Sequence, residues 1–366
     1  MNQTSDDILA PVLAVASRKA YGVPKPPGAI DLYLDGNEGL AAPLDLAEIS
    51  SPEFAERARR YPSAAVLETK LAIRFGVSPD RVIVTAGGDD ALDRACRSML
   101  TLGLEIIIPT PTFEMFPRYA ELAGATAITV PWLDGPYPTE AVLARVTERT
   151  RVIVVVTPNN PTGLVANAAD IRRVAYAAPH ALIVVDLAYV EFADEDPTAT
   201  VLELPNAIAV RTFSKAFGLA GLRVGYALGS ARVIGWLRTA GGPYPVSSLS
   251  LALAASRLES SAEIMRAFVQ QVRAERDQLH AQFEMMGRSS SPGTAQSIKA
   301  WKSQGNFVLA RLPDAAAAHA ALAARGIAVR AYPGKPDLHD CLRITCPGNV
   351  AQFTRLRSAI SEIFAP

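Results

Sequence analysis

Arg151-Val-Ile-Val-Val-Val-Thr157 runs directly into Pro158-Asn-Asn-Pro-Thr-Gly163. The first stretch is apolar at consecutive positions rather than alternate ones, so it reads as a strand buried on both faces. The second is dense turn chemistry. Shorter copies of this plan lie on either side: 82–86, 105–109, 126–130, 181–186, 207–212 and 224–229 are apolar strand-like runs. Helix-spaced segments at 89–101, 113–124 and 168–177 separate several of them. Alternating buried strands and helices predict an α/β fold, a mainly parallel sheet sandwiched by helices. Ligands of such sheets sit beyond the carboxyl ends of the strands.

Further along, 248–286 reads as long helix, a connector. Residues 306–366 read strand, helix, strand, strand, helix, a smaller α+β C-terminal domain. At the other end the Pro/Gly cluster 22–28 breaks any helix, a short strand is expected at 31–34, and Asp35-Gly-Asn-Glu-Gly39 follows as part of an arm crossing the surface. The expected division is an arm over 1–40 packing with the small domain, a large domain over 41–255 and a small domain over 256–366.

Composition limits the function classes. The chain has 366 residues, 49% of them apolar and 20% charged, enough for a large core. Its 36 basic and 36 acidic side chains cancel, so neither nucleic acid nor an anionic membrane is an expected partner. Cys96, Cys341 and Cys346 form neither a disulfide framework nor a metal pattern, and no metal is expected. The apolar stretch 8–16 follows Asp6 and Asp7 where a signal peptide needs positive charge, and no run reaches the roughly 20 apolar residues that span a bilayer. The expected location is cytoplasmic.

The strand ends carry the chemistry. After 82–86 come Gly87, Gly88, Asp89 and Asp90, opening a helix whose free N–H groups suit a phosphate. Taken alone, that piece reads first as a tight turn capped by Asp. After 181–186 the buried strand ends on Asp186, with Tyr189 following; a carboxylate there needs a partner. The strand 207–212 leads into Phe213-Ser-Lys215 and on to Arg223. Arginines outnumber lysines 29 to 7, and Lys215 is the only lysine between residues 71 and 298. A lysine at a strand end, in apolar surroundings, departs from the usual solvated surface charge.

Pyridoxal 5'-phosphate uses all of these ends. It needs a lysine for its aldehyde, which Lys215 can supply, and a carboxylate for its pyridine nitrogen, which Asp186 can supply. Asn160 and Tyr189 can hydrogen-bond its phenolic oxygen. Gly88 and Asp89 backbone amides, with Ser214 and Arg223, can hold its phosphate.

In order and spacing, Asn160-Pro-Thr-Gly163, Asp186-x-x-Tyr189, Ser214-Lys215-Ala-Phe and Gly221-Leu-Arg223-Val-Gly225 resemble the fold-type I pyridoxal-phosphate aminotransferases. Arg60-Tyr61-Pro62, Pro111-Thr-Phe113, Pro243-Tyr-Pro245, Asn306-Phe307 and the run from Arg325 to Arg330 resemble the histidinol-phosphate aminotransferase branch. That resemblance implies that Phe113 stacks on the pyridine ring and that Tyr61 reaches the cofactor phosphate of the neighbouring subunit in a homodimer with shared sites. It implies that Arg343 holds the carboxylate of glutamate or 2-oxoglutarate, and that Arg330 helps bind a substrate phosphate. The activity implied is transfer of an amino group from histidinol phosphate to 2-oxoglutarate, giving imidazole acetol phosphate and glutamate in histidine biosynthesis. An aromatic or pathway-specific amino-acid aminotransferase and a lyase similar to threonine-phosphate decarboxylase are the alternatives. The chain departs from the family pattern at Leu187, Gly88, Asp90 and Gly39-Leu40, and after Arg343 at Cys346-Pro-Gly348.

Overall fold

A computed structural model describes residues 13–16, 28–41, 52–260, 262–289 and 298–364. Most of the 22–28 cluster and part of the 8–16 stretch lie outside the described residues. Twelve strands occur among those described. In chain order they are β1 (Leu32–Leu34), β2 (Val82–Thr85), β3 (Glu105–Thr110), β4 (Thr126–Pro131), β5 (Thr150–Val156) and β6 (Leu182–Asp186). Then come β7 (Ala207–Thr212), β8 (Gly225–Gly229), β9 (Lys299–Ala300), β10 (Phe307–Arg311), β11 (Ile327–Ala331) and β12 (Cys341–Thr345).

β2 to β8 form one seven-stranded sheet in the order β2-β8-β7-β6-β5-β3-β4. Its strands from β7 to β4 are parallel, as the continuous apolar runs lead one to expect. β8 alone runs antiparallel to both its neighbours, β2 and β7. The reason is local: β7 and β8 are joined by the loop 213–224 with no crossover helix long enough to bring the chain back parallel. Side chains of β5 divide by parity. Ile153 and Val155 join one apolar layer, and Val152, Val154 and Val156 join the layer on the other face. Helices cover both layers, and every residue of β6 and β7 is buried.

The remaining strands form a second sheet in the order β1-β11-β12-β10-β9. β1, from the N-terminal segment, pairs parallel with β11, placing Leu32 opposite Ile327. The apolar cluster beneath this sheet also takes in Tyr189, Phe192 and Ala216 from the end of the large sheet. The ends of the two sheets thus share one packed core.

Several boundaries differ from the sequence reading. The helix expected at 89–101 spans Gly87–Met99, so both glycines lie in its first turn. The helix after β3 is shorter than expected, Met115–Leu122. The long helical stretch divides into Ser248–Ser260 and Ala262–Ser289. The helices Ala65–Phe75 and Ala231–Ala240 and the two-residue strand β9 were not read from the sequence. Among the described residues no helix is long and apolar enough to cross a membrane.

Candidate active site

A cavity of about 1140 Å³ opens where the carboxyl ends of β5, β6 and β7 meet the second sheet. Its wall includes Gly88, Asp89, Phe113, Asn160, Asp186, Tyr189, Ser214, Lys215, Arg223, Arg330 and Arg343. Segments far apart in the chain therefore bring eleven of the twelve residues picked out from the sequence into one space. The twelfth, Tyr61, does not line it. It is 81% exposed and stacks on Tyr244, ring centroids 4.6 Å apart at an interplanar angle of 14°.

Asp186 is the last residue of β6. Its Oδ1 accepts from the Ala188 N–H at 3.0 Å. Burial pushes its carboxyl up to about 7, an effect added to by Asp89 and opposed by the Ala188 hydrogen bond and by Lys215. Lys215 sits in the β7–β8 loop, and its Nζ donates to the Gly36 carbonyl at 2.9 Å. Burial, and secondarily the Arg343 charge, pulls this amine down to about 8. Two groups that would ordinarily be fully ionised near neutral pH thus have their charge disfavoured, the pattern expected of acid–base chemistry.

Helix Gly87–Met99 starts where β2 ends. Arg223, held at a left-handed φ of 52°, donates from Nη2 to Asp89 Oδ2 at 3.0 Å. Backbones crowd together here: a Cβ on Gly225 would lie 2.5 Å from the Gly88 nitrogen, and one on Gly87 would lie 2.6 Å from Arg223 Nη2. Only glycine permits this approach. Ser214 Oγ accepts from Thr212 Oγ1 at 2.9 Å beside it. Free helix N–H groups, a hydroxyl and a guanidinium form a set suited to a phosphate.

Of the two amides after β5, Asn159 is scaffold. It is fully buried, with its Nδ2 donating to the Pro111 carbonyl and to Thr162 Oγ1, both at 2.9 Å. Asn160 faces the cavity and accepts from Arg343 Nη1 at 2.6 Å. Arg343 Nη2 donates to the Asp35 carbonyl, while its Nε is buried without a partner.

Three features escaped the sequence reading. The segment expected to cross the surface instead puts Asp35, Gly36 and Glu38 on the cavity wall. Asn37, 1% exposed, donates from Nδ2 to the Tyr189 hydroxyl at 3.0 Å. Arg330 Nη2 donates to Glu114 Oε1 at 3.2 Å. The only sequence signal for the first two was a lone Asn between glycines, a residue that tolerates left-handed backbone. Nothing local linked Glu114 to Arg330.

Residues 48–360 match the family model for aminotransferase class I and II. The chain belongs to this family. It is a pyridoxal-phosphate-dependent aminotransferase acting on amino-acid and oxo-acid substrates. It is 35% identical over 336 residues to an aromatic amino acid aminotransferase of Corynebacterium efficiens, covering 89% of this chain and 91% of that one. It is 33% identical over 340 residues to a histidinol-phosphate aminotransferase of Paracoccus denitrificans, covering 91% and 89%. The fold superposes with a TM-score of 0.79 and 25% identity on the histidinol-phosphate aminotransferase of Sinorhizobium meliloti in complex with pyridoxal-5'-phosphate, covering 92% of this chain and 91% of that chain. The cavity of this aminotransferase fits the cofactor by its donors: a glycine cradle with Arg223 for the phosphate, a buried carboxyl for the ring nitrogen and an amine with lowered pKa for the aldehyde.

Proposed function

We propose that this aminotransferase exchanges an amino group between an aromatic amino acid and a 2-oxo acid. One observation carries the reading. The cavity that holds Arg343 for a carboxylate is lined, in the same space, by Tyr33, Phe113, Met115, Tyr332 and Leu338. A flat apolar side chain gains from burial against such walls. A second reading, histidinol phosphate as donor, has Arg330 on the wall in its favour.

When bound, pyridoxal phosphate supplies an aldehyde that receives the amino group and a ring that takes up electrons. Lys215 is the proposed catalytic residue: with the cofactor bound, its amine would hold the aldehyde and, once released, its neutral form would serve as the base for the substrate Cα proton. Asp186 would keep a proton on the pyridine nitrogen. Tyr189 and Asn160 would hydrogen-bond the phenolic oxygen, and Phe113 would pack on the ring. Gly88, Asp89, Ser214 and Arg223 would hold the phosphate, with Tyr61 contributed by a partner subunit. Arg343 binds the carboxylate common to amino and oxo acid. The proposed division is a cofactor-binding domain over 41–255 and a small domain over 256–366, with the arm packed on the latter through β1 and β11.

The test is a half-reaction panel. Phenylalanine, tyrosine, histidinol phosphate and glutamate are each mixed with holoenzyme, and conversion of the cofactor to its amine form is followed by absorbance. Fast conversion by phenylalanine and tyrosine supports the first reading. Conversion by histidinol phosphate with the aromatic acids inert replaces it with the second.

A further inference from the structure

Arg330 on β11 lies directly opposite Arg343 on β12. Directly opposed residues share a face, and like charges there repel. Arg343 is hydrogen-bonded to neutral oxygens, those of Asn160 and Asp35. Among the described residues the one carboxylate within ion-pair distance of either guanidinium is Glu114, 3.2 Å from Arg330. Glu114 belongs to the other sheet's layer, between β3 and the helix Met115–Leu122. Its Oε2 also lies 4.0 Å from Lys335 Nζ. Both members of the pair are substantially covered, Arg330 with 17% and Glu114 with 33% of the side chain exposed. Beside them Tyr332 keeps its hydroxyl buried without a partner.

We propose that Glu114 is a specificity-determining residue: as the built-in anion on Arg330, it sets the site for an uncharged aromatic side chain and against one ending in phosphate. This rests on the reading of the cavity as the substrate site of an aromatic aminotransferase. A phosphate reaching Arg330 must either displace Glu114 or sit beside it. Displacement parts a partly buried carboxylate from its 3.2 Å partner and leaves it only the exposed Lys335 at 4.0 Å. Sharing sets a dianion and a carboxylate against two cations, Arg330 and Lys335. An uncharged ring does neither. It leaves the pair closed, and the Tyr332 hydroxyl is available to a polar ring substituent.

The experiment compares holoenzymes of the wild type, Glu114→Gln and Glu114→Gln/Arg330→Met. Two quantities are read: the ratio of kcat/KM for histidinol phosphate to that for phenylalanine, and the rise in Tm caused by inorganic phosphate. The glutamine variant should raise the ratio at least about tenfold, equivalent to roughly 1.4 kcal/mol. It should also gain a phosphate-dependent rise in Tm that the wild type lacks. The double variant should lose both gains, because they depend on the freed guanidinium. An unchanged ratio and Tm response in folded, cofactor-loaded Glu114→Gln overturns the proposal, as does a gain that survives removal of Arg330. A wild type that prefers histidinol phosphate overturns both the proposal and the aromatic reading. If the wild type turns over neither amine, the aromatic reading alone falls, and the Tm response to phosphate decides the role of Glu114.

Discussion

Asn37 reaches from the N-terminal segment to donate its side-chain amide to the Tyr189 hydroxyl, 3.0 Å away at the end of the large sheet. The same residue donates its backbone N–H to Thr345 Oγ1 at 3.2 Å and accepts the Thr345 hydroxyl on Oδ1 at 2.8 Å. Its carbonyl accepts from Asn306 Nδ2 at 3.1 Å. One buried side chain therefore joins the arm, the second sheet and the cavity wall. Because the Tyr189 oxygen accepts from Asn37, the tyrosine's own proton is left for a ligand.

Replacing this residue should be costly out of proportion to its size. Asn37→Ala must hold an alanine at a φ of 53° and leave buried partners unsatisfied. The expected loss is about 2–4 kcal/mol of stability, measured by urea unfolding of the holoenzyme. Asn37→Gly restores the backbone freedom and should recover part of the stability with little recovery of kcat. Equal recovery of both would place the role of Asn37 in the backbone alone.

Lys215→Ala should abolish transamination, and retained turnover would remove the assignment of this lysine. Its amine also sets a pH dependence. The folded value is about 8 against the ordinary 10.5, so between those values the unfolded chain binds the extra proton. Stability of the cofactor-free protein, relative to Lys215→Met, should rise as pH increases from about 8 to about 10.5. Cofactor loading should speed up over the approach to pH 8, as the neutral amine accumulates. A pH-independent difference between the two proteins would mean that the folded amine titrates normally.

Asp186 has the opposite sign. Its folded value of about 7 exceeds the ordinary 3.8, so the folded state binds the extra proton between them. Relative to Asp186→Asn, the cofactor-free protein should lose stability as pH rises from about 3.8 to about 7. Asp186→Ala should keep under roughly 1% of kcat, since the ring then lacks the partner that keeps its nitrogen protonated. Near-normal turnover would mean that another group serves the nitrogen.

Arg343→Ala should raise KM for both the amino acid and the oxo acid, at a cost of roughly 2–4 kcal/mol in kcat/KM for each. The two substrates share one carboxylate site, so the losses should match. A loss confined to one substrate would require a second carboxylate-binding group.

Tyr61 and Lys215 test assembly together. If Tyr61 completes the partner's site, chains carrying Tyr61→Ala and Lys215→Ala, each weak alone, should recover activity when mixed into heterodimers with one intact site. Absence of recovery, with heterodimers verified by native mass spectrometry, would assign Tyr61 to the Tyr244 stack alone.

What the chain determined by itself is the local part of this molecule. Consecutive β-branched residues in 151–157 and 181–186 cannot face water on either side, so a sheet covered on both faces is legible without coordinates. The residues after the strands are legible for the same reason: a carboxylate, a lysine and paired glycines at the ends of buried strands stand out against local expectation. Family resemblance extended this to Phe113, Arg330 and Arg343. What only the tertiary structure decided concerns pairs distant in sequence. Asn159 and Asn160 are adjacent and chemically identical, yet one is buried under Pro111 and Thr162 while the other meets Arg343. Asn37 follows β1 and Tyr189 follows β6, while Glu114 follows β3 and Arg330 lies in β11, so each contact joins segments attached to different sheets and follows from how the sheets dock. Backbone propensity and apolar periodicity act over a few residues. Ion pairs and hydrogen bonds across the cavity act over distances that exist only after the chain has folded.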